Sequence, residues 1–211
     1  MRSIEAGHRT LLGKRCPLRA GLLSSPLSPF PHITIKCIKP VLLLLVAASL
    51  VACSATLPIT YAPSNLSRGS GSIAVEQFIY AAARSGKFPA NQPEERGIGA
   101  IYLSEDIASL FTDAVRKELQ FSGHTLDRGA SLTIGGVIDR FSYDWVGLLT
   151  QRVDVAVSFQ VRRGGEVVYS RNLSSHKEAP KTPGYETEAI KSAMSDCIQQ
   201  FLEDAHNRRA L

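Results

Sequence analysis

Thiols and imidazoles are the side chains best suited to covalent or metal chemistry near neutral pH, so the 4 cysteines and 5 histidines of this 211-residue chain are placed first. His124, His176 and His206 are far apart in sequence, and none has a second histidine three or four residues away, the spacing that puts two ligands on one helix face. Gly97 and Gly99 begin a dinucleotide-type pattern without its remaining glycine, and no stretch has P-loop spacing. A serine, histidine and aspartate set could be assembled in dozens of ways, which singles out no hydrolytic triad. The expectation is therefore a protein that is not an enzyme and has no metal and no dissociable cofactor. Among the cysteines, Cys197 falls on an apolar helical stripe and is expected to be a small buried hydrophobe. Cys53 stands apart, because it directly follows an apolar run, residues 41–52.

That run is too short to cross a bilayer as a helix, which takes roughly 20 apolar residues. Its length suits the hydrophobic region of a secretory signal, and Lys36 and Lys39 stand just ahead of it as the positive flank. Val51 and Ala52 are compact enough for a peptidase pocket, and Leu50 fits the aliphatic position before them. Leu50-Val51-Ala52-Cys53 thus resembles a bacterial lipobox, with cleavage immediately before Cys53 and lipid on its sulfur and new amino group. The attached diacylglycerol and N-acyl chains would anchor the protein firmly, since each buried methylene contributes ~0.8 kcal/mol. Residue 54 is Ser rather than Asp, which under the sorting rule of enterobacteria-like hosts implies delivery to the outer membrane, facing the periplasm.

Residues 1–32 fit no part of such a signal: they hold Pro17, Pro26, Pro29 and Pro31 and lack hydrophobic periodicity. They read as a spurious upstream extension or as a disordered leader removed on processing, with residues 33–52 as the signal peptide. Setting them aside changes the electrostatics. The chain has 24 Lys+Arg and 19 Asp+Glu, but seven of the bases and one of the acids precede Cys53. The mature part keeps 17 bases against 18 acids, and the basicity that would suggest a nucleic-acid partner disappears.

Residues 53–72 are rich in Ser, Pro, Gly, Thr and Asn and predict a flexible tether holding the domain a few nanometres from the membrane. The domain proper is expected over 73–205, with 206–211 as a tail. A first strand is expected over 72–79, and residues 81–99 read as loop. A helix follows, with Ser104 as N-cap, Glu105 and Asp106 in its first turn, and Ile107, Leu110, Phe111, Ala114, Val115 and Leu119 on one face. Gly123 suits the left-handed position just past its end. A strand over 131–141 contains Gly135-Gly136, which suggests a bulge or a close backbone approach. Residues 151–162 alternate Val153, Val155, Val157, Phe159 and Val161 with polar or small side chains, the pattern of a half-buried strand. Gly164-Gly165 predicts a tight hairpin into 166–176. A last helix over 185–205 buries Ala189, Ile190, Ala193, Met194, Cys197, Ile198, Phe201 and Leu202. The order β-α-β-β-β-α predicts an α+β two-layer sandwich. Its four-stranded sheet would be mixed and mostly antiparallel, its first two strands parallel, with both helices on one face.

Two regions could be functional at the surface. Tyr143, Trp145 and Leu148, at a strand end and in the loop after it, are candidates for contact with a partner, since tryptophan is favoured at interface hot spots. Residues 81–101 form a long segment rich in Gly, Pro and charge, of the kind that often carries function.

The lipobox, the helix ending Arg116-Lys117-Glu118-Leu119 before Gly123, the strand from Leu132 to Phe141, the alternating strand 153–161, the Gly-Gly hairpin and the closing helix stand in the order found in YajG-like bacterial lipoproteins. This resemblance covers about residues 73–203. It implies a periplasm-facing, membrane-anchored α+β domain whose molecular role is generally not assigned, and it transfers Cys53 alone as a site. The leading expectation is a non-enzymatic interaction or assembly module with an envelope protein as partner. Auxiliary lipoproteins of ABC-type lipid transport systems share this size and organisation and are the alternative.

Overall fold

The computed structural model describes residues 55–64, 69–94, 100–182 and 184–211. The expected leader, signal peptide and lipobox with Cys53 lie outside the described residues, as do Gly97 and Gly99.

Three long strands dominate: β6 (Leu132–Val146), β7 (Thr150–Arg163) and β8 (Glu166–Pro180), paired antiparallel in sequence order. Every second residue of β7 from Gln151 to Val161 is buried, as its apolar alternation requires. Arg163 pairs with Glu166 across a two-residue turn in which Gly164 and Gly165 have φ of 59° and 91°. Positive φ at both central residues matches the twist of the flanking strands. Beside β6 run two short parallel strands, β2 (Ser72–Val75) and β3 (Ile79–Tyr80), and β5 (Thr125–Leu126) pairs with β2. The sheet therefore has six strands, in the order β5-β2-β6-β7-β8 with β3 also on β6, instead of the four expected. A separate parallel pair joins β1 (Ala55–Leu57) to β4 (Ile101–Leu103). The extra strands have two to four residues each, too few to display a period.

The α+β class, the parallel first pair and the antiparallel meander agree with expectation. A short helix, α1 (Ala81–Arg84), interrupts the segment expected to be loop. The two long helices, α2 (Ile107–Phe121) and α3 (Tyr185–Asn207), bury the expected stripes against one face of the sheet. Phe159 of β7 shows that they share that face: its ring lies 6.1 Å from Phe111 of α2 and stacks on Phe201 of α3 at 4.3 Å. Helix α2 starts later than expected, with Asp106 rather than Ser104 at its N-cap and without a side-chain cap bond. The Ile107 N–H is met instead by the Ala90 carbonyl at 2.9 Å, and Ser104 N–H bonds to Leu57 O. At the other end, Gly123 (φ 101°) closes the helix, with N–H groups of Gly123 and His124 bonding to Gln120 and Leu119 carbonyls.

Gly136 marks a close approach rather than a bulge. A Cβ there would lie 2.3 Å from Ser158 O and 3.0 Å from the Phe78 ring, whereas the register shift in β6 comes later, between Ile138 and Arg140.

The largest departure concerns the expected tether. Residues 55–64 are laid along α2 as a strap: β1 pairs with β4, and Ile59 and Tyr61 are buried in the core. Glu118 of α2 is fully buried, and a buried carboxylate needs donors. The strap supplies them, through the Tyr61 hydroxyl at 2.5 Å and Ser64 N–H at 3.1 Å, while Lys117 donates to Tyr61 O. Burial, then the bond to Glu118, raises the Tyr61 phenol well above its ordinary value. Two large apolar side chains and one acceptor are enough to hold a segment whose composition suggests disorder. The expected tail also packs: α3 runs to Asn207, Ala210 is buried, and Arg163 donates to Ala210 O at 3.4 Å.

Candidate functional site

Strand β6 carries the expected surface residues and divides them. Phe141, Tyr143 and Trp145 alternate on the face that meets the helices, pairing with Val155, Val153 and Gln151 of β7. Tyr143 is buried, and its hydroxyl donates to Gln151 Oε1, so it offers no ring to a partner. Trp145 lies one pair farther along and is 49% exposed. The three-residue turn 147–149 follows, begun by Gly147 with φ 63°. Leu148 is 91% and Leu149 79% exposed. Lys181, just past the end of β8, holds its ammonium 4.1 Å from the Trp145 ring centroid and donates to Gly147 O at 2.8 Å. Tyr185 at the start of α3 is half exposed. Of the three expected contact residues, Trp145 and Leu148 thus belong to one apolar hairpin tip with a cation at its rim.

The opposite face of the sheet holds a second arrangement, of which sequence reading marked only the segment 81–101 and none of the strand residues. Arg140, Ser142 and Asp144 of β6 alternate with the aromatics and so point away from the helices, beside Arg152 and Asp154 of β7. Lys87 and Phe88, after α1, and Glu94 complete a cavity of about 330 Å³. Glu94 runs parallel to β6: its N–H donates to Phe141 O at 2.8 Å, and its carbonyl accepts from Tyr143 N–H at 3.1 Å. Asp154 is the hub, taking His176 Nδ1 at 2.7 Å and Ser142 Oγ at 3.4 Å, with Arg152 Nε at 3.5 Å. His176 Nε2 lies 3.6 Å from Glu178.

Three bases and three acids line this cavity, so its charge is balanced. Its lining offers hydrogen-bond donors and acceptors of both charges to a polar group. The signal was present as alternate-residue charge in β6 and β7. Finding the site required the strand register and the position of Lys87 and Glu94, which sequence periodicity does not supply.

Cys197 is fully buried, and burial, assisted by Asp196, pushes its thiol up to about 12, which makes it unreactive. No group of His, Cys, Asp and Glu among the described residues could hold a metal ion. Among the described residues no helix is long and apolar enough to cross a membrane.

No protein-family model matches the chain, and no curated protein matches it in sequence. The fold is shared with a Xanthomonas campestris protein of the family DUF330, at a TM-score of 0.56 and 12% identity over 74% of this chain and 96% of the other. A minor lipoprotein from Acinetobacter baumannii overlaps more loosely, with a TM-score of 0.42 and 12% identity over 65% and 94% of the two chains. For the rare lipoprotein B of Shewanella oneidensis the values are 0.38, 10%, 65% and 98%. The Xanthomonas likeness places the α+β architecture among known folds, and at that identity it speaks for the fold alone.

Proposed function

We propose that the chain is a cell-envelope lipoprotein, attached through diacylglycerol and N-acyl lipid on Cys53 and facing the periplasm from the outer membrane. There it serves as a non-enzymatic interaction or assembly module of the YajG-like kind. One observation carries this reading: the lipobox ends two residues before the first described strand, which begins at Ala55. Cleavage ahead of Cys53 would remove the whole signal and leave β1, and everything packed on it, intact.

The experiment is metabolic labelling with a fatty acid in a bacterial host. The wild-type chain should take up label and run as the cleaved form, and Cys53→Ser should abolish labelling and accumulate the uncleaved precursor. Label persisting in Cys53→Ser would overturn the assignment. Cross-linking of the labelled protein in the envelope then reads the role. A stable envelope protein partner supports the assembly module. Recovery with a permease and an ATPase would instead favour the transport-auxiliary role.

A further inference from the structure

The hairpin tip gains nothing for the fold by being apolar. Its turn needs only the positive φ of Gly147, and Leu148 and Leu149 could be polar without changing any pairing. Isolated exposed apolar residues are ordinary, but here Trp145, Leu148, Leu149 and Tyr185 gather at one end of the domain. Their order also has meaning. The two leucines project farthest, and behind them come an indole and an ammonium laid against it. Aliphatic residues beyond a Trp and Lys rim match the layering of a bilayer, in which indoles sit at headgroup depth and lysines extend their charge to water.

The chain path brings this end to the membrane. Strand β8 finishes here, with Thr150 opposite Pro180 and Lys181 N–H bonded to Leu149 O, and α3 starts from here. Helix α2 runs antiparallel to β6, since its other end leads into β5 and meets Gly69 beside the first residues of β2. Its first turns lie beside Gln77 and Phe78, so its start faces the hairpin from about the middle of β6. The strap begins with β1 near the start of α2, where Leu57 O takes Ser104 N–H, and runs toward Glu118 near its finish. The strap is therefore entered from the side that faces the hairpin. Cys53 precedes Ala55 by two residues, which span at most about 7 Å even when fully extended. A lipid on Cys53 would hold the hairpin half of the domain nearer the bilayer than the β7–β8 half.

We infer that the end of the domain bearing the β6–β7 hairpin is seated on a lipid bilayer, with Leu148 and Leu149 among the acyl chains and Trp145 and Lys181 at headgroup level. The inference rests on lipidation of Cys53. It leaves the charged cavity on the far face of the sheet turned to the periplasm.

Trp145 is the chain's one tryptophan and reports directly on the seat. The lipidated protein, its fatty-acid label measured on the same sample, is reconstituted in vesicles of phosphatidylethanolamine and phosphatidylglycerol. Trp145 emission should be blue-shifted and quenched by lipids brominated on their acyl chains. The double variant Leu148→Asp with Leu149→Asp, exposed positions that should leave the circular dichroism and urea midpoint unchanged, should lose both effects and keep its label. Labelled wild-type protein whose tryptophan stays open to acrylamide and untouched by brominated lipid would overturn the seat and leave the lipoprotein reading standing. Shielding from acrylamide without bromolipid quenching would also overturn it, assigning the tip to contact between copies of this chain. A sample without label would remove the lipoprotein assignment and the seat together.

Discussion

The two hairpins of the meander make the same reversal with different surfaces. The β7–β8 turn runs through Gly164 and Gly165 between Arg163 and Glu166, and the β6–β7 turn runs through Gly147 into Leu148 and Leu149. The neighbouring core differs as well. Toward the β7–β8 end the helix-facing side is closed by aromatics, with Phe201 stacked on Phe159 at 4.3 Å and Tyr169 edge-on to it at 5.7 Å. Toward the β6–β7 end it finishes in a polar pair, Tyr143 on Gln151, and Gln151 Nε2 has no hydrogen-bond partner among the described residues. A reversal constrains only the backbone. Side chains around it are free to serve something else. The β7–β8 turn is flanked by Arg163 and Glu166 with the partly exposed Val167 and Val168 behind them, and the β6–β7 turn carries its two most exposed apolar side chains at the tip itself. Stability is concentrated at the aromatic end, and contact with the surroundings at the other.

The largest effects should therefore come from the aromatic end. Phe159→Ala removes the ring that joins both long helices to the sheet and should cost about 3–5 kcal/mol in urea unfolding. A loss below 1 kcal/mol would show that the core is not organised around this ring. Gly136→Ala, directly across from Phe159 on β6, adds a methyl group where Ser158 O would be 2.3 Å away. Overpacking of this kind costs about 1–3 kcal/mol, read in the same way, and an unchanged midpoint would mean that β6 and β7 separate easily.

Next in size is the strap, which carries the chain from Ala55 along α2 to Glu118. Tyr61→Phe keeps the ring in the core and deletes one donor to the buried Glu118 carboxylate. The expected cost is about 1–3 kcal/mol, the range for an under-satisfied buried group. Hydrogen exchange should show where it falls: faster exchange confined to the strap and α2 sharpens the contrast between ends, and uniform loss across the sheet breaks it.

The legible parts of the fold were those with a repeating pattern long enough to count. Five apolar residues at alternate positions marked β7, eight on one helical stripe marked α3, and Gly164-Gly165 marked the turn between long strands. The strap was illegible because its hold depends on Ile59, Tyr61 and an acceptor 57 residues away, in a stretch whose composition favours disorder. The same argument covers the charged cavity, where Asp154 meets His176 only through the β7–β8 register. At the tip, Trp145 and Leu148 were readable as an apolar surplus in a turn. Tyr143 shares their spacing, and only the depth of the core at that point separates it from them.

The smallest effect on stability should come from the tip itself, and that is its value as a test. Leu148 and Leu149 touch too little of the protein to support it, so replacing both with Ser should move the unfolding free energy by no more than about 0.5 kcal/mol. A measurable loss would mean that the leucines pack into the fold and that their exposure in solution is less than 91% and 79%. A neutral result has a sharper consequence, because Gly147 alone then accounts for the turn and the two leucines have no structural reason to be apolar. The comparison between hairpins would then rest on what lies outside the protein. The mild Ser pair would serve as the control for the Asp pair, separating loss of apolar contact from repulsion of the new charges by anionic headgroups.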